Sequence, residues 1–345
     1  MVLVVLDGVR WQEVFEGVDA EIARRHGMKP DEVVDAEALM PTLHRVLIAR
    51  GAAVGAPGHG PEMRATGPNY VSLPGYTEIL TGRPSDHCHD NDCPETVETT
   101  LPDELAALGP LSPNPGTNTQ GAPDPGDPPE GPASAVFASW ESLDRAASGG
   151  GTDVVVSAGR HHGRGLARMR SDDQERRLMD EASGATSDPG SADFRPDRYT
   201  AELALRFLAT RAPRFLFMGL GEPDEYAHQD NYRAYLDSLR ASDRALARLV
   251  DTLDQMGERG RRTTVFVTTD HGRSNAFRDH GAFAPESGRV WLVASGAGIE
   301  EKGLVQSAVP HRLADIAPTM RELLGMDADA REGSGQPIRE ALALY

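Results

Sequence analysis

Five short stretches of the chain carry side chains able to do chemistry together. A hydroxyl stands at Ser72, inside the run Asn69-Tyr70-Val71-Ser72-Leu73-Pro74-Gly75 that leads on to Thr81-Gly82. Acids and imidazoles stand at Asp7, at Asp224 and His228, at Asp270 and His271, and at His280. Carboxylates mixed with imidazoles are the ligand chemistry of a divalent cation, and a hydroxyl beside such a cation becomes a usable nucleophile. Each piece alone has a plainer reading. Asp7-Gly8 suits a turn, Ser72 a helix cap, and Asp270-His271-Gly272 a cap as well, while the four-residue Asp224–His228 spacing occurs on many helix surfaces. Their joint placement favours a metal site.

That placement follows from the apolar runs that precede the acids. Val2–Leu6 is a short continuous apolar stretch, the mark of a strand covered on both faces, and Asp7 follows it directly. Phe215–Leu220 leads to Asp224 and His228, and Val265–Thr269 leads to Asp270 and His271. Further runs occur at Ala135–Ala138, Val154–Val156 and Val290–Val293. Helical patterns lie between them at Leu43–Ala49, Arg198–Thr210, Tyr232–Met256 and Arg312–Leu324. This alternation predicts an α/β fold with a doubly wound, mostly parallel sheet sandwiched by helices. In such a sheet the carboxyl ends of the strands line one crevice, and ligands bind there. Pro74 suits the first turn of a helix and Gly82 its end, so Ser72 is expected at a helix N-terminus, where negative charge is favoured. His311, ahead of Asp315 and Pro318, competes with His280 for a place in the site; His280 is preferred because it lies nearer Asp270-His271.

Length and 39% hydrophobic content suit a single α/β domain over residues 1–345. Residues from about 84 to 195 have weaker periodicity and are expected to form a small cap or insertion, including a Pro/Gly-rich surface loop at 109–134. The net charge of −18 and the lack of a basic tract argue against an extended nucleic-acid surface. An acidic protein acting on an anionic substrate needs local positive charge, which bound cations supply. Lys29 and Lys302 are the only lysines. No apolar run approaches the ~20 residues of a membrane span. Met1–Leu6 lacks the charged leader of a signal peptide, and a core strand at residue 1 suggests that the gene product begins upstream. Cys88 and Cys93 lie in a polar segment and read as a small disulfide loop, with free thiols or a metal knuckle as the alternatives. The disulfide reading implies a periplasmic or secreted protein.

Taken together, these motifs resemble the alkaline phosphatase superfamily, most closely its type I phosphodiesterase/nucleotide pyrophosphatase branch. The resemblance covers nearly the whole chain. It rests on Asp7-Gly8, Ser72-Leu73-Pro74, Thr81-Gly82, Pro223-Asp224 with His228, Thr269-Asp270-His271-Gly272 and His280-Gly281, with Pro310 to Gly325 as the closing helix. It implies two divalent metal ions, best Zn²⁺, with Mn²⁺ or Fe as alternatives. One would be held by Asp7, Asp270, His271 and the Ser72 oxygen, the other by Asp224, His228 and His280. It also implies a substrate-binding asparagine after the Thr-Gly, for which Asn91 is the candidate; an exposed turn residue is the alternative. A Cys88–Cys93 bridge would hold Asn91 in a tight loop.

The implied activity is hydrolysis of phosphate mono- or diesters through a phosphoseryl intermediate on Ser72. A phosphomutase-type isomerase, a phosphonate or sulfate ester hydrolase with the same site, and a metal-binding protein without turnover are the alternatives. Tyr76 stands where a formylglycine sulfatase needs arginine, which argues against that class. The expected partner is a small anionic phosphoester.

Overall fold

The computed structural model describes residues 1–110, 132–151, 153–169, 171–327 and 333–343. Among the described residues eleven strands are formed: β1 (Val2–Leu6), β2 (Gly51–Val54), β3 (Met63–Arg64), β4 (Ser134–Ala138), β5 (Val154–Ala158), β6 (His162–Arg164), β7 (Phe215–Leu220), β8 (Thr264–Thr268), β9 (Arg289–Val290), β10 (Leu292–Gly296) and β11 (Gly303–Leu304). Helices of seven residues or more are α1 (Ser72–Thr81), α2 (Leu101–Ala107), α3 (Asp173–Gly184), α4 (Asp197–Arg211), α5 (Glu222–His228), α6 (Tyr232–Gln255) and α7 (Ile316–Leu323).

Nine of the strands make one sheet in the order β11-β2-β10-β8-β1-β7-β4-β5-β6, while β3 and β9 pair separately. Its core is parallel: β1 pairs in parallel with both β7 and β8, and β4 with β7 and β5. Only β10 and β6 run antiparallel to their neighbours. The expected mostly parallel sheet flanked by helices is therefore the architecture found.

The side-chain period of two along β1 divides its residues between two cores. Val2, Val4 and Leu6 join the layer that includes α4 and α6 residues such as Leu205 and Leu246. Leu3 and Val5 join the opposite layer with Leu73, Ile79 and Met320 of α1 and α7. Every residue of β1 is fully buried, and each such aliphatic side chain contributes about 1.5–3 kcal/mol on leaving water. The continuous apolar run is thus the signature of a strand covered on both faces.

Two details depart from the expectations. The run Val290–Val293 is not one strand. Val290 belongs to β9, and Leu292 starts β10. Trp291 lies between them with its indole N–H donating to the Val9 carbonyl. Within the 84–195 stretch read as a cap, β4, β5 and β6 lie in the main sheet. The Pro/Gly-rich loop placed at 109–134 lies for its greater part outside the described residues. No helix among the described residues is long and apolar enough to cross a membrane.

Candidate metal centre

The sheet order does the first part of the assembly. Strands β8, β1 and β7 are spatial neighbours, so the residues that leave their carboxyl ends lie side by side. Asp270 follows β8, Asp7 follows β1, and Asp224 sits in the first turn of α5, which follows β7. Asp197 fastens the start of α5 by accepting the backbone N–H groups of Gly221 (2.8 Å) and Glu222 (3.0 Å). One turn of that helix separates Asp224 from His228, and their side chains meet at 2.9 Å.

Helix α1 supplies the hydroxyl. Ser72 is its first residue, Pro74 falls in its first turn, and Gly82 ends it at φ +80°. Gly75 lets the helix press against the end of β8: a Cβ there would lie 2.5 Å from the Asp270 carbonyl oxygen. Gly8 has a comparable constraint, because its φ is +63° and a Cβ would lie 2.2 Å from Asp224 Oδ1. Its backbone N–H donates to Asp270 Oδ1 at 3.1 Å. Asp224 can sit against this turn only because that position lacks a side chain.

The seven residues singled out in the sequence come together as two adjoining triads with Ser72 beside the first. Asp7, Asp270 and His271 offer ligand atoms within 4.8 Å of one another, as do Asp224, His228 and His280. Ser72 Oγ lies 3.3 Å from His271 Nε2 and 3.4 Å from Asp7 Oδ1. The His271 and His280 rings stack at 3.9 Å between centroids, which joins the triads into one centre. His311 lies elsewhere, against Glu340 (3.0 Å) and Asp315 (3.5 Å).

The donor set suits divalent cations. Asp270 Oδ2 is buried without a hydrogen-bond partner, an arrangement that a cation relieves. His271 Nδ1 donates to the Gly272 carbonyl (2.8 Å) and His280 Nδ1 to that of Tyr70 (2.8 Å), so in both rings the Nε2 lone pair faces the site. His280 Nε2 and His228 Nε2 are 3.1 Å apart, the spacing of two nitrogens that share one electrophile.

The electrostatics agree. Burial, then the neighbouring Asp270 and Asp224 charges, push Asp7 well above the usual carboxylate range. Burial and Asp224 push Asp270 up to about 8. Burial also holds His271 well below the ordinary imidazole value, aided by His280, and lowers His280 likewise. His228 goes the other way, the Asp224 charge raising it above the ordinary imidazole value. His271 and His280 thus stand neutral beside crowded carboxyls, as metal-binding imidazoles must.

Asp224 behaves differently, and the reason is a residue that the sequence reading missed. Burial pushes its carboxyl up, but Arg273, His228 and His280 outweigh that and hold it well below its normal value. The fully buried Arg273 guanidinium donates to Asp224 Oδ1 and, through Nε, to the Phe277 carbonyl at 2.7 Å. Arg273 also bonds the Arg278 carbonyl, tying Asp224 to the segment that ends in His280. Its only signal in the sequence is its position directly after Asp270-His271-Gly272. Tyr76 is a second addition, its hydroxyl donating to Asp7 Oδ2 at 2.8 Å.

Asn91 also reaches the site. Its Oδ1 accepts the Leu73 N–H at 2.9 Å, next to Ser72. Cys88 and Cys93 are disulfide-bonded across that loop, with Cα atoms 5.2 Å apart. Arg145 fixes the same loop by donating to the carbonyls of Cys93 (2.7 Å) and Asn91 (2.8 Å).

Comparison with known proteins follows the same lines. A family model described as Metalloenzyme superfamily matches residues 173–328, which include Asp224, His228, Asp270, His271 and His280. The 2,3-bisphosphoglycerate-independent phosphoglycerate mutase of Rippkaea orientalis is 30% identical over 135 residues, 35% of this chain and 23% of that protein. The mutase of Haloarcula marismortui is 27% identical over 173 residues, 47% of this chain and 30% of that protein. This chain thus spans less than a third of the length of these curated relatives. Among solved structures, wild-type alkaline phosphatase PafA superposes with a TM-score of 0.64 at 12% identity, covering 99% of this chain and 98% of that one. The lipoteichoic acid synthase LtaP from Listeria monocytogenes gives 0.61 at 12% identity, covering 99% and 76%. A 2-O glycosaminoglycan sulfatase gives 0.56 at 12% identity, covering 98% and 73%. The chain therefore has the alkaline phosphatase-like fold and carries the Metalloenzyme superfamily pattern across residues 173–328.

Proposed function

We propose that this chain is a binuclear metal-dependent hydrolase of phosphate esters that works through a phosphoseryl intermediate on Ser72. The observation that carries the reading is the position of Ser72 Oγ at the N-terminus of α1, against His271 and Asp7 of one triad and one ring stack away from the other. Asp7, Asp270, His271 and the Ser72 oxygen would hold one ion, and Asp224, His228 and His280 the other; the mixed carboxylate and imidazole set suits Zn²⁺ best. Bound there, divalent cations supply a lowered pKa for the serine hydroxyl and charge to offset the phosphoryl oxygens.

The protein's own groups do the rest. Ser72 Oγ attacks phosphorus as the bond to the departing oxygen breaks in line, the serine proton leaving with the released alcohol or to solvent. Water then cleaves the serine ester and restores the hydroxyl, freeing phosphate from a monoester substrate or a phosphomonoester from a diester. The positive end of the α1 dipole faces the developing negative charge. Asn91 spends Oδ1 on Leu73, and its Nδ2 makes no hydrogen bond to a described residue, so it can donate to a phosphoryl oxygen. Arg273 keeps Asp224 ionised and oriented. The Cys88–Cys93 bridge supports residence in an oxidising compartment.

A mutase reading draws on the phosphoglycerate mutase relatives. The two separate in one assay. The zinc-loaded protein is incubated with p-nitrophenyl phosphate, its bis ester, a phenylphosphonate ester and p-nitrophenyl sulfate. Fastest release from the bis or phosphonate ester identifies a diesterase, and from the simple phosphate a monoesterase. Preference for the sulfate assigns a sulfatase instead. No release from any, with both ions bound, overturns the hydrolase reading in favour of a mutase or an inactive relative.

A further inference from the structure

We propose that Tyr76 is a positioning residue for the first metal ion: its hydroxyl occupies one oxygen of Asp7 and so commits the other to the ion beside Ser72. This role rests on the ion assignment of the proposed function. A tyrosine in a core has a plainer use as packing alone, and phenylalanine would then serve equally well. The hydrogen bonds around Asp7 favour a use for the hydroxyl itself.

Each carboxylate of the first triad is held by one oxygen and leaves the other for a ligand. Asp270 Oδ1 accepts the Gly8 N–H at 3.1 Å, while its Oδ2 is buried without a hydrogen-bond partner. Asp7 Oδ2 accepts the Tyr76 hydroxyl at 2.8 Å, the one hydrogen bond to that oxygen among the described residues. The remaining oxygens gather around His271: Asp7 Oδ1 and Asp270 Oδ2 each lie 3.5 Å from its Nε2. Ser72 Oγ lies 3.3 Å from the same nitrogen and 3.4 Å from Asp7 Oδ1. Zinc bonds of about 2.0–2.2 Å put the ligand atoms of a tetrahedron roughly 3.3–3.6 Å apart, and these separations match. Rotation of the Asp7 carboxylate, or its use of both oxygens, would spoil that spacing. The Tyr76 hydrogen bond opposes both.

Helix geometry puts Tyr76 in reach. It follows Ser72 by four positions on α1, so the two side chains share a face of the helix. The ring is fully buried, edge-on to Phe217 of β7 at 6.1 Å between centroids and 6.5 Å from Trp140. Asp7 leaves β1, the neighbour of β7 in the sheet. Helix α1 therefore touches Asp7 at both oxygens, Ser72 at Oδ1 and Tyr76 at Oδ2. The spacing between the nucleophile and the first ion is thus fixed within one helical turn. The hold on Asp270 is a backbone N–H, whereas the hold on Asp7 is a side chain that substitution can remove.

Tyr76→Phe removes the hydroxyl and keeps the ring in its packing. Zinc affinity is measured by calorimetry with and without this change in two backgrounds. In His228→Ala the second triad is weakened, so the tighter ion reports the first. Tyr76→Phe should weaken that ion about 10–100-fold, the usual effect of losing the group that orients a ligand. In Asp270→Ala the first triad is disabled, and the ion at Asp224, His228 and His280 should change by less than about twofold. That intact second ion also shows that the variant is folded. With the otherwise wild-type protein at saturating zinc, Tyr76→Phe should lower kcat for p-nitrophenyl phosphate about tenfold and keep KM within about twofold, the split of a misplaced nucleophile. Equal zinc affinity with and without the hydroxyl in His228→Ala, or an equal loss at both ions, overturns the role of Tyr76 and leaves the hydrolase reading in place. Selective loss of the first ion in a protein that turns over no ester overturns the hydrolase reading and upholds Tyr76. A protein that binds no ion overturns the ion assignment and this role with it.

Discussion

Asn91 Oδ1 and the Leu73 N–H, 2.9 Å apart, fasten the disulfide loop to the first turn of the helix that presents Ser72. The loop is short, with a sequence separation of 5 between Cys88 and Cys93, so the bridge's effect on overall stability is of the order of 2 kcal/mol on a chain-entropy view. Its larger effect is expected on Asn91. Replacing both cysteines by serine should raise KM for a phosphoester about tenfold and lower kcat less, as Asn91→Ala should. Steady-state kinetics of the two variants check this, and unchanged KM in both would remove Asn91 from substrate binding.

Ser72→Ala should lower kcat by at least ~10³-fold, because it removes the nucleophile, while the Asp224, His228 and His280 triad keeps its ligands. Metal content by elemental analysis should fall by less than half. Ser72→Thr keeps the hydroxyl and should stay within about tenfold of wild type. Wild-type-like turnover in the alanine variant would exclude the serine mechanism.

Arg273→Met removes the cation that Asp224 faces in the buried centre. Breaking one partner from such a pair costs about 3–5 kcal/mol when nothing replaces the lost charge. A metal ion at the second triad would replace it. The drop in melting temperature relative to wild type should therefore be larger in chelator than in zinc. An equal drop in both conditions would mean that no cation binds beside Asp224.

The raised carboxyls make the metal-free protein sensitive to alkali. Burial pushes Asp270 up to about 8 in the folded chain and shifts Asp7 upward as well, whereas unfolded carboxyls titrate near 4. Between those values the native state binds more protons than the unfolded one, so stability is lost as pH rises through that window. Melting temperature in chelator should fall by at least ~3 °C from pH 5.5 to pH 8. With zinc the trend should reverse, because ligands must be deprotonated to bind it. A chelated protein that grows more stable over that range would contradict the assignment of Asp7 and Asp270 to a vacant-charge cluster.

Much of the centre was legible because polar residues interrupt apolar runs. Asp7 directly follows a strand whose every residue is buried, and Asp270 follows another after Thr269; a polar group at that point has to face a crevice. His228 was legible from helical spacing. Arg273 was not, since an arginine after a glycine has no periodic signature and its partners Asp224 and Phe277 come from the fold. The reversal of β10 was equally hidden: strand direction is set by chain connection and not by the residues of the strand. β2 escaped notice because Gly51-Ala52-Ala53-Val54 is short of β-branched side chains. Trp291 looked like strand interior, yet its indole N–H needs the Val9 carbonyl, and reaching it breaks the run in two.

Strand β1 lies between two partners that are encoded more than two hundred positions later, at Phe215–Leu220 and Thr264–Thr268. During synthesis the ribosome releases Asp7 long before either neighbour exists, so this acid must wait in an open, water-exposed chain. Pairings of such long range are slow to form and leave apolar segments open to aggregation in the interval. The candidate metal centre is consequently a late product of folding, and a nascent fragment ending before β8 has no complete set of these side chains to poison or protect.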